Sequence, residues 1–195
     1  MILFHFSGTP GTGKTFLCEL VSKILQKHPN YKTLDTDDWL YEWHTSVMQK
    51  AKSGREARDL YEKFMNSKIA TFESSPVKWI LCGVLNYEFT VRGRLLRMPE
   101  LSWPSNAKLV FIKIDTDKLY KQRAIRALRN ICEHREDIEK DLESGAEVLI
   151  DWELSETKDY VRKAYQFDLE YHLQRGYALK TQAQAISIVK KLVKK

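Results

Sequence analysis

The sequence predicts a single α/β domain, a five-stranded parallel sheet with helices on both faces. Three observations predict it. Five short apolar runs alternate with longer segments whose apolar residues recur every three or four positions. A glycine-rich turn, Gly8 to Thr15, stands between the first run and the first of those segments. Acidic, glycine and arginine residues collect just after the apolar runs, where ligands bind in open α/β sheets.

The elements follow in order. Met1 to Phe6, apolar except for His5, reads as a strand buried on both faces. Phe16 to Lys27 carries Leu17, Leu20, Val21, Ile24 and Leu25 at helical spacing. His28-Pro29-Asn30 breaks it, and Tyr31 to Leu34 is a second strand that delivers Asp35-Thr36-Asp37-Asp38 at its end. Trp39 to Lys52 is expected to be one helix. Arg55 to Phe72 is another, after a turn at Ser53-Gly54. Val77 to Cys82 is the third strand, closed by Gly83. The segment holding Arg92, Arg94 and Arg97 matches neither period. Lys108 to Ile114 is the fourth strand, and Asp115-Thr116 caps a helix to about Ile131. Cys132 to Ser144 is nearly all charged and reads as a solvated helix, with Glu136 and Lys140 at i,i+4. Ser155 to Gln174 is a helix stopped by Gly176, Tyr177 to Lys180 a fifth strand and Ala183 to Lys194 a closing helix. His5 reads as a core histidine.

The turn Gly8-Thr9-Pro10-Gly11-Thr12-Gly13-Lys14-Thr15 fits G-x-x-x-x-G-K-[ST], the phosphate-binding loop. Its glycines let the backbone approach a phosphate, and successive N–H groups form an anion nest. The helix that opens beside Gly13 adds its positive dipole end. Lys14 reaches β- and γ-phosphates, and the Thr15 hydroxyl ligates Mg²⁺.

Composition bounds the rest. The 195 residues are 43% hydrophobic and 30% charged, as in globular domains. No apolar run nears the ~20 residues that cross a bilayer, and the N-terminus lacks a basic n-region, so neither a membrane span nor a signal peptide is expected. Cys18, Cys82 and Cys132 are odd in number, far apart and without a C-x-x-C, which points to a reducing, cytoplasmic compartment. The five histidines show no metal spacing. A net charge of +6 suits a partner carrying phosphate.

Gly8 to Thr15 followed by Asp35-x-Asp37 resembles the P-loop small-molecule and nucleotide kinases, among them shikimate kinase, gluconate kinase and adenylate kinase. Gly-x-Pro-Gly-x-Gly-Lys with the acidic pair Asp37-Asp38 is also similar to polynucleotide 5′-hydroxyl kinases. The resemblance covers the architecture of most of the chain. It implies a three-layer P-loop NTPase fold, nucleotide-kinase-like, with a helical lid at residues 131–153. It implies ATP and Mg²⁺, and γ-phosphoryl transfer to a small hydroxyl- or phosphate-bearing acceptor, a nucleotide, nucleoside or metabolite. Asp35 would hold Mg²⁺ through water and Asp37 would accept the proton of the attacking hydroxyl; alternatively the aspartates cap the next helix, the reading preferred for Asp38. Arg123 and Arg126, at i,i+3 and able to share a face, would neutralise phosphoryl charge, with Arg129 continuing the row toward solvent. Alternatively, all three belong to a solvated basic helix face.

Weaker acceptor-site candidates are Gly83 and Arg92, as well as Arg58. Gly54, Arg58 and Glu62 resemble the acceptor-binding helix of shikimate kinase, offset by one at the arginine. The third strand ends Ile80-Leu81-Cys82-Gly83, without the acidic residue of many nucleoside triphosphatases. Three other functions stay open: a kinase acting on a nucleic-acid 5′ end, an AAA-type ATPase, and a nucleotide-binding regulator without turnover. The AAA reading requires an acidic pair after strand three, which this chain lacks. The oligomeric state is undetermined.

Overall fold

The structure is a computed structural model that describes residues 1–85, 88–91, 94–97, 99–136 and 156–194. Five parallel strands form the main sheet: β1 (Ile2–Ser7), β2 (Tyr31–Asp35), β3 (Lys78–Cys82), β6 (Lys108–Ile112) and β7 (Ala178–Lys180), in the order β2-β3-β1-β6-β7. A separate antiparallel hairpin pairs β4 (Glu88–Val91) with β5 (Arg94–Arg97). This is the segment that fits neither period in the sequence. Among the described residues there are six α-helices: α1 (Lys14–Leu25), α2 (Asp37–Glu42), α3 (Gly54–Ala70), α4 (Thr116–Glu133), α5 (Lys158–Leu173) and α6 (Gln182–Leu192).

The helices lie in two layers, as right-handed crossovers require. The chain steps from β1 outward to β2, so α1 covers one face, where α6 joins it. Phe4, Phe6, Leu17, Val21, Ile80, Val110 and Val189 pack between them. The steps β2 to β3 and β6 to β7 run the other way, so α2, α3, α4 and α5 cover the second face. There Ile2, Trp43, Tyr61, Met65 and Leu81 form one cluster, and Phe111, Leu119, Val161, Tyr165 and Tyr177 another. Pairing is irregular between Ile2 and Phe4 of β1, where two steps along β1 meet one along β3. The extra residue sends Ile2 and Phe4 to opposite faces despite their even spacing.

That arrangement leaves His5 and Ser7 on the second face, both fully buried. His5 Nε2 lies 3.1 Å from the Gly83 carbonyl and Nδ1 2.8 Å from the Tyr177 hydroxyl. A carbonyl only accepts, so Nε2 carries the proton and the tyrosine hydroxyl donates to Nδ1. By the same logic His172 donates from Nδ1 to the Asp168 carbonyl (2.7 Å) and accepts the Ser7 hydroxyl at Nε2 (2.9 Å). His5 is therefore a core histidine, as expected, stacked on Trp103 with ring centroids 4.5 Å apart.

Most elements fall within a few residues of the sequence expectation. The expected helix from Trp39 to Lys52 does not run straight. It breaks into α2, a π-turn over Trp43–Val47 and a 3₁₀ turn over Met48–Lys50. The Thr45 hydroxyl donates to the Tyr41 carbonyl (3.0 Å), the i−4 bond by which threonine perturbs a helix. The helix expected to stop near Ile131 extends to Glu133. Residues 137–153 of the expected lid lie outside the described residues. All three cysteines are free.

Burial holds His5 to a pKa of about 3 and His172 to about 4. Between those values and the ordinary histidine range the unfolded chain binds protons that the native state refuses. Stability is therefore full above about pH 6.5 and falls with pH below it, by about 1.4 kcal/mol per pH unit for each histidine. Urea unfolding midpoints at about pH 7 and about pH 5 check this. His172→Gln should remove about half of the slope.

Candidate functional site

The tips of β2, β3 and β1 are level, because Asp35 pairs with Cys82 and Cys82 with Phe6. The chain leaves β1 toward one edge of the sheet and β3 toward the other, which opens a crevice between their loops. A cleft of about 780 Å³ lies there. Its floor is the loop Pro10 to Phe16. One wall is Asp37, Leu40, His44 and Val84. The other is Gln122, Ile125, Arg126 and Arg129 of α4.

The glycine loop is built as its sequence requires. Gly13 sits at φ 79°, a left-handed N-cap that turns the chain into α1. The first N–H groups of α1 have no carbonyl one turn behind them and point into the cleft end of the helix. Gly8 leaves no room for a side chain, since a Cβ there would stand 2.7 Å from Thr12 Oγ1. Thr12 folds back on the Thr9 carbonyl through both its N–H (3.1 Å) and its hydroxyl (2.9 Å). Lys14 Nζ donates to the same carbonyl at 3.3 Å. From the far side, Gln182 of α6 donates to the Gly13 carbonyl at 3.1 Å.

Lys14 is buried, and desolvation lowers its pKa, while Asp37 and Asp35 oppose that shift. A buried ammonium facing an open cleft favours an anion there. Asp35 is half-buried, which raises its pKa, while the nearby Thr15 hydroxyl works to lower it; its carboxylate accepts the Asp37 N–H at 3.0 Å. Two adjacent hard oxygens fit Mg²⁺, which takes one or two protein oxygens and completes its shell with phosphate and water. Among the described residues no group of three His, Cys, Asp or Glu forms a cage.

Asp37 is positioned by the tip of β3. Thr36 donates both its N–H (2.7 Å) and its hydroxyl (3.2 Å) to the Cys82 carbonyl. Asp37 Oδ1 accepts the Val84 N–H at 3.2 Å. Gly83 makes this possible: it sits at φ 140°, and a Cβ there would lie 2.2 Å from Thr36 Oγ1 and 2.9 Å from Asp37 Oδ1. Asp38, expected to cap the helix, is exposed in its first turn. The helix begins at Asp37, and it is Asp35 that accepts the first free N–H.

The arginines separate. Arg123 and Arg126, expected to share a face, lie on two stripes of α4. Leu119, Arg123 and Ala127 form the buried stripe; Gln122, Ile125, Arg126 and Arg129 form the cleft stripe. Arg123 is 3% exposed and pairs with Glu156 (Nη2 to Oε1, 2.5 Å). It also reaches the Pro10 carbonyl at 3.5 Å, with its stem against Gly11. It braces the loop from behind and does not line the cleft. Arg129, expected toward solvent, lines it. Arg58 is exposed on α3, away from the cleft. Arg92 lies outside the described residues. Sequence reasoning missed Leu40, His44 and Gln122. Their spacing from Asp37 and Arg126 was visible, but which face of each helix turns to the cleft was not.

No protein-family model and no curated protein matches this chain. Among solved structures, that of the protein designated APE1195 is similar at a TM-score of 0.40 and 17% identity, over 86% of this chain and 93% of its own.

Gly83→Ala should move Asp37 and lower stability by about 1–3 kcal/mol through the strained backbone and the clash. Thermal unfolding measures the second effect, and loss of any activity traced to Asp37 measures the first.

Proposed function

We propose that this protein is an ATP- and Mg²⁺-dependent phosphotransferase of the P-loop kinase type, acting in a reducing, cytoplasmic compartment. One observation carries the reading: the glycine loop with Lys14 and Thr15, the carboxylate of Asp37, and Arg126 border a single cleft, although they come from three separate stretches of sequence. The loop N–H groups, Lys14 and the start of α1 cradle the β- and γ-phosphates. Thr15 and Asp35 would hold Mg²⁺, which would supply neutralisation of phosphate charge.

The chain's own residues then divide the work. Asp37 hydrogen-bonds the acceptor hydroxyl and takes its proton as the oxygen attacks the γ-phosphorus. The new O–P bond forms as the bond from that phosphorus to the β,γ-bridging oxygen breaks, and ADP leaves. Arg126, with Arg129 beside it, faces the transferring group and offsets the charge on its oxygens. The Val84 N–H holds one carboxylate oxygen of Asp37, so the other keeps its orientation toward the acceptor. Arg123 acts on the loop only through its contacts with Pro10 and Gly11.

Asp37→Asn should lower kcat by about 10²–10⁴-fold while ATP affinity stays within a few-fold. Lys14→Ala should instead weaken ATP binding. Transfer of labelled γ-phosphate and titration calorimetry with MgATP separate the two effects. Full activity in Asp37→Asn would show that the base is another group.

A further inference from the structure

The α2 wall of the cleft carries a stripe of which the transfer chemistry uses only the first member, Asp37. Asp37, Leu40 and His44 fall at i, i+3 and i+7 along α2 and the π-turn, and all three line the cleft. Trp39 and Trp43, each one residue before a member of the stripe, are buried in the second-face core. Their burial fixes the rotation of the segment, so the stripe stays turned toward the cleft. The His44 ring is set edge-on against Trp43, with centroids 5.0 Å apart and planes at 69°. Partial burial lowers its pKa, so near neutral pH the ring is uncharged, with one donor and one acceptor nitrogen. Between its ends the wall is apolar, formed by Leu40 with Val84.

The length of the stripe selects an acceptor. Seven residues at 1.5 Å per residue separate Asp37 from His44 by about 10 Å along the axis. A hexose or polyol of ordinary bond lengths spans about 5–6 Å and has no planar ring. A nucleoside fits better. Its 5′-hydroxyl and the far edge of its base are about 8–9 Å apart, joined through a planar ring system. We infer that the acceptor is a nucleoside: its hydroxyl meets Asp37, its base lies against Leu40 and Val84, and the base edge exchanges a hydrogen bond with His44. The inference rests on the phosphotransferase reading. A free nucleoside and the 5′ terminus of an oligonucleotide share this chemistry, and the test separates them.

The experiment follows labelled γ-phosphate from MgATP onto a panel of ribo- and deoxynucleosides, a 5′-hydroxyl oligonucleotide, a hexose and a polyol. Label is expected on a nucleoside or on the oligonucleotide end, whichever is the source. His44→Ala should raise the acceptor KM tenfold or more and leave the KM for ATP unchanged. His44→Phe, which keeps a ring but no hydrogen bond, should do the same, and His44→Gln should recover part of the loss. Label on the hexose or polyol alone overturns the nucleoside acceptor and leaves the kinase reading standing. An unmoved acceptor KM in both His44→Ala and His44→Phe also overturns it. Failure to bind MgATP in calorimetry, with no transfer to any acceptor, overturns the kinase reading and this inference with it.

Discussion

Everything in the cleft depends on how Thr36 is tied to the Cys82 carbonyl. One carbonyl at the tip of β3 receives both the N–H and the hydroxyl of Thr36, which is completely buried. This pair of hydrogen bonds joins the last residue before α2 to a neighbouring strand and not to its own helix. It fixes where α2 starts, and with it the side chains that project from its first turns. The residue after β3, Gly83, has to lack a Cβ for the two strand ends to close this far. The Asp37 carboxylate then rests on the Val84 N–H. A weakly propagating helix of six residues would not hold a side chain this well by itself. Its orientation is borrowed from the sheet.

The electrostatics of the cleft are deliberately unbalanced. Lys14 has lost most of its hydration, and its nearest compensation inside the loop is a carbonyl, supplemented by Asp35 and Asp37 across the crevice. Arg126 and Arg129 add positive charge on the opposite wall. Arg123 does not add to this field in the same way, because Glu156 is held against it in the interior. A buried pair of this kind contributes more to a unique geometry than to stability. Here it sets the back of the glycine loop, with the arginine stem filling the space that a side chain at position 11 would need.

Much of the fold could be read from the sequence. The five main strands, the glycine loop and most helices follow from periodicity and from punctuation by glycine, proline and capping residues. Ser53, Asp115, Thr157 and Thr181 each cap a helix by accepting an N–H from the first turn. The hairpin escaped because neither strand is a continuous apolar run and Arg94-Leu95-Leu96-Arg97 does not alternate. The π-turn escaped because a single back-bonded threonine leaves the apolar spacing of Trp39 and Trp43 intact. The arginines of α4 were the harder lesson. Positions i and i+3 lie about 60° apart on a helix, so the edge of a buried stripe can pass between them. Only the packing of α4 against α5 and the glycine loop decides on which side each one falls.

The bond from Gln182 to the Gly13 carbonyl spans 169 positions of the chain. It links the first helix to the last one, and α1 and α6 share a core. The glycine loop near the amino end is therefore not finished by local folding. During synthesis those early residues leave the ribosome long before residue 182 is made, at a rate of about 5–20 residues per second. The nascent chain passes through an interval in which β1 and the glycine loop exist without the partner that steadies them. The glycine loop then takes its final support late, close to the moment at which α6 docks.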